Sequence, residues 1–93
     1  MKIMVCCGSG LGSSFMMELN IKNVLKELGK PEIEVTHSDL SSATSDSADL
    51  FVATRDIAPE VAKLGDTISL NSMIDKAELT EKLTAKLKEK GLL

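Results

Sequence analysis

Apolar and polar positions change period several times along the 93-residue chain, and each change marks an element. Ile3, Val5 and their apolar neighbours make a short continuous run over residues 2–6, which predicts a strand buried on both faces, as in a parallel sheet. Met17, Ile21, Val24, Leu25 and Leu28 then recur at helical spacing, with Glu18, Lys22, Lys26 and Glu27 elsewhere on the cylinder. Residues 15–28 are therefore predicted as an amphipathic helix lying on the sheet. Gly29 suits a left-handed cap, and Pro31 prevents continuation. Residues 32–36 alternate polar and apolar, the pattern of an edge strand with one buried face.

Residues 38–49 are rich in Ser, Thr and Asp, and only Leu40, Ala43 and Ala48 are candidates for burial. A parallel crossover usually carries a helix here, yet the propensity is poor, so a short helix or an irregular connection is expected. Residues 50–53 are continuously apolar and predict a central strand, with Thr54, Arg55 and Asp56 leaving its carboxyl end. A short helix over residues 59–64, closed by Gly65, precedes a fourth strand at Thr67–Leu70. Asn71, Ser72 and Met73 lead out of that strand. Asp75 with Glu78 three residues on makes a start like a capping box for a last helix, whose apolar face is Leu79, Leu83 and Leu87. Glu78 and Lys82 can pair on its exposed side, and the lysines at 86, 88 and 90 favour its negative end. The alternation predicts one α/β domain over residues 1–93, with four parallel strands and helices on both faces.

The candidate chemistry lies between the first strand and the first helix, in Cys7-Gly8-Ser9-Gly10-Leu11-Gly12-Ser13-Ser14. Glycines at 8, 10 and 12 let backbone amides approach a ligand without Cβ atoms in the way. The unpaired amides and dipole of the helix that follows add attraction for phosphate or another oxyanion. The same field favours thiolate over thiol at Cys7, so the loop combines a nucleophile with an anion cradle. A nucleotide-hydrolase P-loop needs Lys where Ser13 stands, and a dinucleotide fingerprint needs its third Gly two residues further on. A cysteine phosphatase of the C-x5-R type has an Arg where this chain has Gly or Ser. Without that clamp a phosphocysteine can form from an activated donor but should hydrolyse slowly. Cys6 reads as a small core residue of the strand. Phe15 and Met16 read first as packing, with a docking rim beside the loop as the other reading.

Composition narrows the partners. Hydrophobic residues are 43% and charged ones 27%, an ordinary globular balance. Aromatics at 2% leave few stacking platforms, and a net charge of -3 argues against a nucleic-acid partner. No apolar run approaches the roughly 20 residues that span a bilayer, and the start has no secretory pattern, so a cytoplasmic location is expected. The two adjacent cysteines do not suit a disulfide framework. His37, the only histidine, reads as a solvated residue at a strand end, and no metal or other cofactor is expected. Arg55 has two readings. It meets a phosphoryl group or a partner's acidic surface, or it is solvated and paired with Asp56.

Cys-Gly-x-Gly-x-Gly-Ser-Ser followed by a Met-containing helix resembles the IIB component of the bacterial sugar phosphotransferase system, of the ascorbate type. Phe51-Val-Ala-Thr-Arg-Asp56 and Ile68-Ser-Leu-Asn-Ser-Met73 resemble the third and fourth strands of that family with their exits, and they are also similar to the mannitol IIB domain. Cys6 departs from the pattern, where Ala or Val is more usual. The resemblance implies strand order 2-1-3-4, a flavodoxin-like or Rossmann-like sheet. It also implies that Cys7 accepts a phosphoryl group from a phosphohistidine of the IIA component and passes it to a sugar held by the membrane IIC component, with L-ascorbate the expected substrate. The amides of Gly8, Ser9, Gly10, Leu11, Gly12, Ser13 and Ser14 would hold the phosphoryl oxygens. The rival readings are a small cysteine phosphatase or arsenate reductase, and a noncatalytic nucleotide- or flavin-binding module.

Overall fold

A computed structural model of the chain describes residues 1–7, 11–39, 43–46, 48–71 and 75–92; the side chains of Cys7, of residues 11–14 and of Asp39 lie outside the description. The elements run β1 (Lys2–Cys7), α1 (Leu11–Glu27), β2 (Glu34–Asp39), β3 (Leu50–Thr54), α2 (Ala58–Val61), β4 (Thr67–Leu70) and α3 (Lys76–Glu89). The four strands form one parallel sheet in the order β2-β1-β3-β4, the order the resemblance implies. This is an α/β, flavodoxin-like arrangement.

Strand alternation divides the core in two. Ile3, Val5, Leu50, Val52, Ile68 and Leu70 face α1 and α3, where they pack against Met17, Ile21, Val24, Leu25, Leu79, Leu83 and Leu87. Met4, Cys6, Phe51 and Ala53 face the other way, toward Ala43, Ala58 and Val61. β1 and β3 are buried on both faces because they are central, which is why their sequences are apolar without interruption. Cys6 is 1% exposed within the second cluster, as a small core residue should be.

α1 closes as its sequence predicts. Gly29 takes φ +80, the amide of Lys30 donates to the carbonyl of Leu25 and that of Gly29 to the carbonyl of Lys26. That pair of bonds is a Schellman ending, and the left-handed residue costs little only as glycine. Asp75 caps α3 by accepting from the Glu78 amide at 3.0 Å.

Several boundaries differ from expectation. α1 begins at Leu11, four residues before the expected start at residue 15. Gly12, Ser13 and Ser14 read as loop, but first-turn amides have no intrahelical acceptor, so poor helix formers cost little there. β2 begins at Glu34 and runs on to Asp39 because its ladder with β1 continues through Val5↔His37, Cys6↔Ser38 and Cys7↔Asp39. His37 is therefore a strand residue with its side chain 33% exposed, not a solvated one at a strand end. Backbone pairing supplies what the low β propensity of His, Ser and Asp does not. α2 is a single turn, shorter than expected, and β3 extends one residue further, to Thr54. Residues 43–46, 48 and 49 are irregular, the second of the two expectations for that connection; Leu40 lies outside the described residues.

Candidate functional site

The functional edge follows from the order of the strands. α1 leads from β1 outward to β2, whereas β3 and β4 lie on the other side of β1, so successive connections diverge at the carboxyl ends of β1 and β3. In open parallel sheets that divergence leaves a crevice in which ligands bind. Cys7 is the last residue of β1 and pairs with Asp39, the last residue of β2. Val5 pairs with Val52, and two residues further along both strands come Cys7 and Thr54. Thr54 in turn pairs with Leu70, the end of β4.

Leu11, Gly12, Ser13 and Ser14 are the first turn of α1, and that turn contains no acidic residue. Its backbone amides are thus the positive end of a 17-residue helix that begins four residues after Cys7. Gly8, Ser9 and Gly10 lie outside the described residues, as does the Cys7 side chain, so of the expected nucleophile and cradle only the flanking backbone is described. Ser72 and Met73 also lie outside.

Arg55 leaves the same edge. Its amide donates to the carbonyl of Leu70 at 2.9 Å, which fixes the turn out of β3 against the end of β4. The carboxylate of Asp56 accepts from the hydroxyl of Thr54. That bond is the main reason its carboxyl sits below the ordinary range, with the nearby Arg55 charge the smallest contribution. Among the described residues the exposed Arg55 side chain makes no ion pair and Asp56 is bonded to Thr54 instead, so of the two readings of Arg55 the pairing with Asp56 does not form. At the neighbouring exit, the Glu78 carboxylate accepts from the backbone amide of Asn71 at 3.0 Å and from its side-chain amide at 2.8 Å, while Lys82 pairs with it at 2.9 Å. The acid of the predicted capping box thus ties α3 to the end of β4.

Two features of this edge depart from the first reading of the sequence. Phe15 and Met16 are 50% and 60% exposed, and with Leu19 they form an apolar surface on the first half of α1, where packing was the first expectation. Met17, one residue on, turns inward at 1% exposed, so the break in the hydrophobic stripe was the available signal. Second, Glu18 is only 7% exposed, although its charge placed it on the solvent side of the helix pattern. Its Oε1 lies 3.3 Å from Nδ1 of His37, close enough for an ion pair but out of line for a hydrogen bond. The His37 ring also meets Phe15 edge to face, with centroids 6.3 Å apart.

The family model of the lactose/cellobiose-specific IIB subunit of the phosphotransferase system matches residues 2–86, nearly the whole chain. The chain belongs to that family. No curated protein sequence matches it. As a IIB subunit it works in phosphoryl transfer between a IIA and a IIC component, and the matched span takes in the whole sheet, Cys7 and Arg55. The family description names lactose and cellobiose, not the ascorbate or mannitol types that the sequence resembles. No helix of the described residues is long and apolar enough to cross a membrane.

Proposed function

We propose that this IIB subunit carries the phosphoryl group on Cys7. The thiolate attacks the phosphorus of a IIA phosphohistidine, an S–P bond forms as the N–P bond breaks, and the imidazole leaves with the electron pair. In the second half a sugar hydroxyl held by IIC attacks the same phosphorus. The O–P bond forms, the S–P bond breaks, and the hydroxyl proton passes to a base or to water. The amides of residues 8–14 face the equatorial oxygens in both halves and offset their growing charge, with the hydroxyls of Ser9, Ser13 and Ser14 as further donors.

One observation carries this reading: the strand that ends in Cys7 meets, four residues later, an acid-free helix amino terminus at the point where the sheet's connections diverge. Arg55 extends from the adjacent strand end and suits either the transferred group or an acidic donor surface. Phe15, Met16 and Leu19 border the same edge and suit the IIA donor, which must come within bonding distance of Cys7. Transfer takes place on the cytoplasmic side, where IIA works. The sugar is chosen by IIC. The chain's own residues favour L-ascorbate, and the family description favours a disaccharide such as cellobiose or lactose.

Incubation with the general phosphotransferase proteins, phosphoenolpyruvate and IIA proteins of each type, followed by intact mass measurement, tests the reading. One phosphoryl adduct is expected on the wild type and none on Cys7→Ala. An adduct that survives Cys7→Ala, or no adduct from donors shown to be active, overturns it. The IIA type that loads the chain fastest identifies the sugar class.

A further inference from the structure

Glu18 is a carboxylate in the second turn of α1, more than nine-tenths buried, and a charge in that position is costly unless something faces it. His37 faces it. Nδ1 is fully covered and lies 3.3 Å from Oε1, so the imidazole is the polar group that faces the buried acid. The other side of the contact is apolar: the same ring stands perpendicular to that of Phe15, three residues earlier on α1. One side chain from β2 therefore touches both ends of the second turn of the helix.

The location of this contact gives it a consequence. His37 pairs with Val5, two residues before Cys7 on β1, a separation of about 7 Å along the strand. Phe15 is the fifth residue of α1, immediately after the turn whose amides address the phosphoryl group. Met17 lies in the turn that also meets His37, and Ile21, Val24 and Leu25 lie further along, so the contact with His37 falls at the start of the helix's buried stripe.

We propose that His37 is a positioning residue for phosphoryl transfer, which by holding Glu18 and bracing Phe15 fixes the aim of the α1 amides at the end of β1. It touches neither the phosphoryl group nor the donor. The inference rests on the Cys7 carrier reading and adds to it a residue outside the phosphoryl loop.

The test uses the full chain and the phospho-IIA that loads the wild type, with single-turnover rates of adduct formation at several donor concentrations. His37→Phe keeps an aromatic ring against Phe15 but removes the nitrogen that faces Glu18. It should slow loading at saturating donor about tenfold or more, the range that small misplacements cost. The donor concentration at half-maximal rate should stay within about twofold, since the docking surface is untouched. His37→Asn, whose amide nitrogen takes the place of Nδ1, should restore most of the rate. Wild-type rates in His37→Phe, or a loss that appears only as weaker donor binding, overturn the proposal. If His37→Phe folds poorly, the double variant Glu18→Leu/His37→Phe removes the buried charge and restores stability. Loading that stays slow in that stable protein supports positioning, and loading that returns with stability overturns it. If the wild type itself accepts no phosphoryl group from an active donor, the carrier reading fails, and this inference with it.

Discussion

At the scale of single residues, neighbours in sequence have been given opposite tasks. Cys6 is sealed into the core behind the sheet, whereas Cys7 ends the strand at the edge where α1 begins. Met17 is buried while Met16 is exposed. Arg55 and Asp56 divide in the same way, because Thr54 holds the carboxylate and the guanidinium keeps no ion pair among the described residues. Arg55→Met should therefore lower the second-order rate of phosphoryl loading by about tenfold, less than a buried oxyanion donor is worth because the site is exposed. Stopped reactions analysed by intact mass measure it. A rate unchanged within twofold would remove Arg55 from the site. His37 was misread from the sequence because a lone imidazole at the end of a polar strand gives no sign of its partner. The partner, Glu18, is nineteen residues away and looks like part of a solvated helix face.

At the scale of elements, the periodic segments were legible and the boundaries near the site were not. Apolar positions at 17, 21, 24 and 25, and at 79, 83 and 87, are all buried, because helical spacing and burial are two views of one stripe. The start of α1 was hidden by Gly12, Ser13 and Ser14, residue types that serve a loop and a first turn equally well. The end of β2 was hidden because backbone pairing with β1 needs no side-chain signal. Caps were readable in chemistry but only half readable in geometry. Asp75 accepts from the Glu78 amide as expected, and Glu78 is in addition drawn to Asn71. Asp75→Ala should cost about 1 kcal/mol by removing that cap. For a domain of this size the loss lowers the melting temperature by about 4–8 °C, readable by circular dichroism. Asp75→Asn should lose much less.

At the scale of the whole molecule, strand number and parallelism followed from the alternation of segments, whereas the order 2-1-3-4 came from the resemblance, since periodicity carries no information on which strands are neighbours. The carboxyl half is fastened to the sheet from outside by Asp66, which pairs with Lys86 at 3.0 Å and Lys90 at 2.9 Å. The hydrogen bond from Lys90, then that from Lys86, holds the Asp66 carboxyl below its ordinary 3.8, and Asp66 in turn raises Lys86 above 10.5. A lowered carboxyl pKa stabilises the fold at pH values above the ordinary one, and that contribution disappears as the pH falls through the lowered value. A raised lysine pKa contributes below 10.5 and is lost as the pH rises past the raised value. Asp66→Asn should thus cost about 1 kcal/mol at neutral pH, the upper end for an exposed pairing. Urea titrations of variant and wild type should converge once the pH is taken well below 4, where both side chains are neutral.

The two sides of the sheet are unequally clothed. α1 and α3 pack on one, while among the described residues the other carries the single turn of α2 and a connection that leans on it through Ala43 and Ala48. Length can therefore grow or shrink on that thinner side during descent without disturbing strand pairing or the mouth where Cys7 stands, and divergence among sister sequences should gather there.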